Sequence, residues 1–224
     1  MPFINKLENT FQENSHAENA FAMAKYMKNN FVFFGIKTPE RRSLFISIWK
    51  ENKAEISANA RTIAWFLFEK KQREFHYCAV EILIKELKGK YTTEDITRIE
   101  KLITTHSWWD SVDTIAKYIL GQYLIEFPES IDKIISKFSN SENMWLIRSA
   151  ILFQLGYKEK TDFDFLKKIC LQHQHSSQFF IQKAIGWSLR EYAKINPEAV
   201  KKFVVIAELK PLSKKEALKN LRNA

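Results

Sequence analysis

A tryptophan framed by cations lies on one side of the segment 177–195, which its apolar pattern predicts to be a helix. The stripe consists of Lys183, Trp187, Arg190 and Lys194, spaced i, i+4, i+7 and i+11, and the opposite side carries a complete apolar core face. Cations neutralise phosphates, and an aromatic face packs on a sugar or a base, so the stripe favours nucleic-acid binding. The structural alternative is a tryptophan packed on a neighbouring repeat beside solvated cations.

A carboxylate and a large aromatic side chain share a flank of the segment 107–126, which is also predicted to be helical. Trp109 and Asp113 are four residues apart, so they are neighbours on that helix. Asp110 is better explained as the acid of a capping box that begins at Ser107. Alone, a pair such as Trp109 and Asp113 is more often structural than catalytic, and the pattern leaves both interpretations open.

Arg148 is the only charged residue after the first turn of the segment 142–156, which is apolar nearly all round. An arginine inside such a helix must be paired or must point into a polar groove. A phosphate contact and a buried ion pair are equally compatible with this placement.

Helix-start signals recur along the whole chain. We predict capping boxes, each with an acid three residues after the cap, at Ser15–Glu18, Thr92–Asp95, Ser107–Asp110 and Ser213–Glu216. No segment alternates convincingly with period two, so we predict no sheet. The predicted helices span 2–13, 15–30, 38–51, 57–70, 73–88, 93–105, 107–126, 128–138, 142–156, 162–174, 177–195, 197–208 and 213–222.

The helical segments repeat at an interval of about 35 residues. Arg148–Ile151 aligns with Gln182–Ile185 at an offset of 34, and Cys78–Val80 aligns with Ser149–Ile151 at an offset of 71. Helix pairs at this interval are typical of an α-solenoid, and the missing TPR signature favours the HEAT-like type. We predict an all-α fold, a single HEAT-like repeat domain over 1–224. About six helical pairs would form a curved, concave basic channel.

The composition points to an anionic partner. The 224 residues carry a net charge of +9, which suggests nucleic acid, an acidic protein or a membrane surface. Five Gly and five Pro are too few for the tight turns of a sandwich or barrel. No signal peptide, transmembrane run, phosphate-binding glycine loop or metal-ligand spacing occurs in the sequence. We therefore expect a cytoplasmic protein with free thiols at Cys78 and Cys170 and without a metal site.

Six short stretches, spread over the chain, together form a recognisable sequence pattern. They are Lys25–Asn29, Gly35–Arg42, Ser107–Asp113, Trp145–Gln154, Phe179–Trp187 and Leu189–Ala193. Together they resemble the AlkD family of HEAT-like-repeat alkylpurine DNA glycosylases, over essentially the whole chain. The W-W-D-x-V-D and F-F-I-Q-K-A-I-G-W stretches are highly specific.

The resemblance implies an activity on damaged DNA. The family removes N3- and N7-alkylated purines, such as 3-methyladenine and 7-methylguanine, from duplex DNA and is described as not flipping the damaged base into a pocket. By position, Asp113 matches the family's carboxylate, and Trp109 and Trp187 match its two sugar-facing tryptophans.

DNA contacts follow from the same matching. It implies phosphate contacts for Arg148 and Arg190, and further DNA contacts for Tyr26 and Phe180. The helical stripe adds Lys183 and Lys194, and Phe179 lies on the same side of that helix.

The chemistry that the resemblance implies needs only one carboxylate. A purine alkylated at N3 or N7 is cationic and leaves as a neutral base, so no general acid is required, whereas ordinary glycosidases use two carboxylates. Asp113 would stabilise the positive charge on the sugar and orient water, and Trp109 and Trp187 would add cation–π attraction. We expect a monofunctional, monomeric hydrolase that tolerates bulky adducts, leaves an abasic site and needs no cofactor.

Two other functions are compatible with the sequence. A DNA-binding HEAT-repeat protein without catalysis is one, although the presence of Asp113, Trp109 and Trp187 argues against it. A HEAT adaptor for an acidic protein is the other, and it leaves those three residues without a purpose.

Overall fold

The computed structural model describes residues 1–219 and 221. Every regular element among them is a helix or helical turn, and the only β-type pairing in this part of the chain is an isolated bridge between Val32 and Gln72. This confirms the predicted all-α fold. None of the described helices is long and apolar enough to cross a membrane. The chain divides into two compact units, Met1–Lys90 and the residues from Tyr91 onward, and the single domain over 1–224 stays a prediction.

The first unit is built on a core rich in phenylalanine. Its helices are α1 (Pro2–Glu13), α2 (Ala17–Tyr26), α3 (Thr38–Glu51), α4 (Lys53–Phe68) and α5 (Arg73–Glu86). α1 packs on α3 and α4, and α4 packs on α5. Phe3, Phe11, Phe45 and Phe75 are almost completely buried between them.

The second unit contains the helices that carry most of the predicted site. They are α6 (Asp95–Thr104), α7 (Trp109–Ile115), α8 (Gly121–Glu126), α9 (Ile131–Ser139), α10 (Met144–Leu152), α11 (Phe163–Gln172), α12 (Phe179–Tyr192), α13 (Pro197–Ile206) and α14 (Pro211–Ala217). A π-helical turn, Ala116–Leu120, joins α7 to α8, so most of the predicted helix 107–126 is continuous. α10 packs against α6, α7, α9, α11 and α12.

Contacts between helices of this unit recur at the predicted repeat interval. Lys137 on α9 pairs with Glu100 on α6, 37 residues earlier. Arg148 on α10 pairs with Asp113 on α7, 35 residues earlier. Equivalent helices of successive pairs therefore touch one another, as stacked helical repeats do.

Only part of the predicted capping chemistry is observed. Asp95 Oδ2 accepts the backbone N–H of Thr92 at 2.9 Å, as in the predicted box. α2 and α7 begin after His16 and Trp108, and neither residue caps its helix with its side chain. Side-chain caps occur instead on three helices for which none was predicted, α10, α11 and α13, from Asn143, Asp162 and Asn196.

The box predicted at Ser213–Glu216 is wrong. α14 begins at Pro211, and the side chains of Ser213 and Glu216 bond to residues of α12 instead of capping their own helix. The predicted helix 213–222 also runs over 220 and 222, which lie outside the described residues.

A buried carboxylate holds the turn that leads into α3. Glu74 is completely buried and accepts the backbone N–H groups of Phe34, Gly35 and Ile36 at 3.1, 2.9 and 3.2 Å. Burial raises the pKa of Glu74, while these N–H donors oppose the shift. Gly35 has φ = 90°, and a Cβ there would overlap the carbonyl oxygen of His16. The glycine of the stretch 35–42 therefore has a structural role.

We expect Gly35→Ala to destabilise the protein by more than the ~1–2 kcal/mol that a left-handed backbone alone costs an alanine. The added Cβ must also displace the backbone at His16. Gly89→Ala is the matched control, because Gly89 has φ = 74° and a Cβ there meets no atom within 4 Å. Denaturant unfolding measures both variants, and equal losses would contradict a close approach at Gly35.

Candidate active site

A bidentate ion pair joins α7 to α10. Nε and Nη2 of Arg148 donate to Oδ1 and Oδ2 of Asp113 at 2.7 and 2.8 Å. The two side chains are only 5% and 12% exposed, so both charges are largely removed from water. Of the two roles that the sequence left open for Arg148, the structure supports the buried ion pair. Its contact with a DNA phosphate stays a prediction.

The same guanidinium reaches a third helix. Nη1 of Arg148 donates to the backbone carbonyl oxygen of Phe180, in the first turn of α12. The planar guanidinium presents its donors in a fixed fork, so one side chain can bind several acceptors in a defined geometry. Arg148 thereby ties α7, α10 and the beginning of α12 together.

Burial raises the pKa of the Asp113 carboxyl above its ordinary range. The hydrogen bonds and charge of Arg148 oppose this shift, and the carboxylate of Asp110 adds to it. Both oxygens of Asp113 accept N–H donors, which is the geometry of an ionised carboxylate. The site therefore presents an anion in surroundings that screen its charge much less than water does.

Trp109 and Trp187 are both half-buried and lie on different helices. Trp109 is the first residue of α7, one turn before Asp113, and Trp187 lies within α12. α10 packs against both of these helices. In the described part of the chain, Trp187 makes no hydrogen bond or ring contact, and its position away from the core face stays a prediction.

An aromatic cluster lies beside the arginine of this site. The ring centroids of Trp108, Trp145 and Phe180 are 5.1 to 5.8 Å apart. The guanidinium of Arg148 lies 5.8 Å from the ring centroid of Phe180. Phe180 therefore contributes to the packing around Arg148, whereas the neighbouring Phe179 is 57% exposed and accessible to a ligand.

The cations of the predicted stripe are paired with acids of the same chain. Lys183 and Arg190 both bind the carboxylate of Glu216 on α14, at 2.9 and 2.7 Å. Lys194 pairs with Glu191 at 2.6 Å and is 60% exposed. The side of α12 that carries the cation stripe, opposite the predicted core face, is therefore in contact with α14. The DNA contacts of these three cations stay predictions.

Glu216 is the residue that the sequence analysis missed. It was assigned to a capping box, and no local pattern shows its contacts with α12. The available signal was Gly186, because a glycine inside a helix costs about 1 kcal/mol relative to alanine and often indicates a close approach. A Cβ at Gly186 would overlap the Cβ of Glu216 and lie 2.9 Å from the carbonyl oxygen of Ser213.

Tyr26 belongs to the first unit. It is the last residue of α2, a helix without buried residues, and it is 68% exposed. Its DNA contact stays a prediction. Among the described residues of both units, no group of three His, Cys, Asp or Glu side chains could hold a metal ion.

The fold and the site define an all-helical protein with a buried carboxylate–arginine pair between stacked helices. The family model for DNA alkylation repair enzymes matches residues 7–221, and the chain belongs to this family. A solved structure of a predicted DNA alkylation repair enzyme from Enterococcus faecalis is 34% identical, with a TM-score of 0.84. The match covers 94% of this chain and 98% of that one. The resemblance stated from the sequence is confirmed.

Two further solved structures share the fold. The protein smu.31 from Streptococcus mutans UA159 is 18% identical with a TM-score of 0.59, covering 81% of this chain and 92% of its own. AlkD2 from Streptococcus mutans is 16% identical with a TM-score of 0.60, covering 82% and 90%. At these identities the likeness shows the fold alone. No curated protein sequence matches the chain.

We expect Arg148→Met to lower the free energy of unfolding by about 3–5 kcal/mol, because it leaves the Asp113 carboxylate buried without its partner. Lys201→Met is the control, since it breaks an exposed ion pair with Glu198 and should cost less than about 1 kcal/mol. Denaturant unfolding at neutral pH compares the two variants. Similar small losses would show that the pair with Asp113 is not a structural requirement.

Proposed function

We propose that this member of the DNA alkylation repair family is a monofunctional DNA glycosylase. It hydrolyses the N-glycosidic bond of N3- and N7-alkylated purines in duplex DNA and leaves an abasic site. The observation that carries the proposal is the buried Asp113 carboxylate, held by Arg148 and one helical turn from Trp109. We propose that the protein acts as a monomer in the cytoplasm, on nucleoid DNA, without cofactor or metal.

The substrate supplies much of the activation. An N3- or N7-alkylated purine already carries a positive charge, so the electron pair of the breaking C1′–N bond neutralises the leaving base. Positive charge then develops on the deoxyribose, and water adds to C1′ and releases one proton to the solvent. No general acid is needed, which distinguishes this reaction from glycosidases that use two carboxylates.

Asp113 supplies the anion that stabilises the sugar cation. Each of its oxygens accepts one hydrogen bond from Arg148, and a carboxylate oxygen has room for a second, so the side chain can also orient the attacking water. Arg148 reduces the net negative charge but fixes the orientation of the carboxylate before reaction. Such preorganisation in a weakly screened site favours the transition state.

The two half-buried tryptophans add to this stabilisation. An indole face attracts a cation, and the attraction grows as charge develops on the sugar. Interactions that are stronger in the transition state than in the ground state accelerate the reaction. Trp109 and Trp187 therefore complete the proposed catalytic set with Asp113.

We propose no base-flipping step. The exposed Phe179 and Lys194 suit contacts with the duplex, and they carry no base-specific readout. Selectivity then comes from the weakened glycosidic bond and the distorted duplex, so bulky adducts are accepted as well.

A non-catalytic DNA-binding protein is the second candidate. The observation in its favour is that the charge of Asp113 is already neutralised by its bidentate ion pair with Arg148, which is the arrangement of a structural ion pair. A protein of this class binds duplex DNA and releases no base. An adaptor for an acidic protein does not bind duplex DNA in a salt-dependent way.

Asp113→Asn is expected to abolish most base release while duplex binding is kept, because the amide oxygen can still accept from Arg148 but cannot stabilise the sugar cation as an anion does. The variant is assayed at a temperature well below its own unfolding midpoint, because the loss of the Asp113 charge destabilises the fold. The assay is single-turnover release of 7-methylguanine, and then 3-methyladenine, from a defined duplex. Asp110→Asn is the matched control, since it removes the same charge from the same helix. Release by Asp113→Asn at the native rate would refute the proposed role, and binding without release by the native chain would favour the second candidate.

We expect the excision rate to fall as the pH is lowered, and this fall, the acid limb of the pH–rate profile, reports protonation of Asp113. It should occur at a higher pH than it would if Asp113 were exposed to water. Burial raises the pKa of Asp113, and protonation removes the anion that the reaction requires. Asp110→Asn removes a charge that contributes to this rise, so it should move the acid limb to lower pH. Rates corrected for spontaneous depurination, with circular dichroism at each pH, check this. If the rate of Asp110→Asn falls at the same pH as the native rate, the acid limb does not report the protonation of Asp113.

A further inference from the structure

Polar contacts fix α14 on one side of α12. The hydroxyl of Ser213 donates to the carbonyl oxygen of Gln182 at 3.1 Å. Nη1 of Arg190 donates to the backbone oxygen of Glu216 at 2.9 Å and to its Oε2 at 2.7 Å. The first turns of α14 therefore have a defined position relative to the cations of α12.

The carboxylate of Glu216 lies between two cations. Its Oε1 pairs with Lys183 Nζ at 2.9 Å, and its Oε2 pairs with Arg190. The side chain of Glu216 is 13% exposed, and hydrogen bonds from Lys183 and Arg190 hold its pKa below the ordinary range. A DNA phosphate also presents two charged oxygens, so the carboxylate occupies the position that a phosphate bridging these cations would take.

Gly186 makes this arrangement possible. It lies between Lys183 and Arg190 along the same side of α12, and a Cβ at this position would overlap the Cβ of Glu216. The missing side chain lets α14 approach until its carboxylate reaches both cations. The close approach and the ion pairs are separate observations that place the same anion at the same point.

We propose that Glu216 is an internal counter-ion that competes with DNA phosphates for Lys183 and Arg190 and so limits the affinity for undamaged duplex. The proposal rests on the proposed function in that DNA is the ligand. Two cations and one anion leave one net positive charge at this point of the surface. A phosphate must displace the carboxylate before it can use both cations, which weakens binding that does not depend on sequence or damage.

Glu216→Gln tests the proposal on undamaged duplex DNA. We expect several-fold tighter binding at low salt. We also expect a steeper dependence of log K on log salt, by about 0.9 for each cation that gains a phosphate. Fluorescence anisotropy over a salt series measures both quantities. Glu198→Gln is the matched control, because it removes the same charge from an exposed pair with Lys201.

Glu216→Gln is also tested in a chain that lacks the positive charges of Lys183 and Arg190. In the background Lys183→Met/Arg190→Met, Glu216→Gln should change neither the affinity nor the salt slope by more than Glu198→Gln does. A full effect in this background would mean that Glu216 acts on DNA by general repulsion and would overturn the proposal.

Two results in the native background would also overturn the proposal. Glu216→Gln and Glu198→Gln with equal affinities and slopes would make Glu216 a structural residue only. Weaker binding by Glu216→Gln at an unchanged unfolding midpoint would show that it positions Arg190 for phosphate. If Glu216→Gln does not fold, Arg190→Met is compared with Arg190→Met/Glu216→Met, and the double variant should bind more tightly through the released Lys183.

The failures of the two proposals can be told apart. If the native chain does not bind duplex DNA, the proposed function fails. If the native chain binds duplex DNA and the Glu216 variants bind no more tightly, only the counter-ion proposal fails.

Discussion

The buried pair of Asp113 and Arg148 is the interaction on which the second unit depends. Neither charge is stable in that position without the other, because an uncompensated buried charge is far more costly than a lost surface contact. The third bond of the guanidinium, to the Phe180 carbonyl, extends the constraint to the beginning of α12. The positions of α7, α10 and α12, and so of both predicted catalytic tryptophans, are linked through one side chain.

The fold and the proposed reaction place different demands on this pair. The fold requires that the two buried charges neutralise each other, whereas the proposed reaction uses an anion. The geometry meets both, because Arg148 takes one lone pair of each Asp113 oxygen and leaves others available to water. Burial then favours the reaction, since the charge that develops on the sugar is weakly screened.

The sequence predicted local features better than contacts between helices. The spans 2–13 and 38–51 agree with α1 and α3 to the residue, and each of these helices has a proline in its first two positions. The pair of Asp113 and Arg148 was left open, although their separation of 35 residues equals one repeat and could have favoured contact. The docking of Glu216 on α12 was not predictable from local patterns, because it depends on the path of the chain between Tyr192 and Pro211.

Net charge is a poor guide to how strongly this surface attracts DNA. The chain has an excess of nine positive charges, yet Arg148, Lys183, Arg190 and Lys194 are all paired with carboxylates of the same chain. The free energy that a phosphate gains from each of these cations is only the difference between its own contact and the ion pair that it displaces.

Strong binding to every stretch of duplex would slow a search for rare lesions. Under the two proposals, a basic surface with internal counter-ions attracts DNA at long range and releases it readily at short range. The proposed function then assigns discrimination to the chemical step at Asp113, where the weakened bond of an alkylated purine distinguishes damaged from normal DNA.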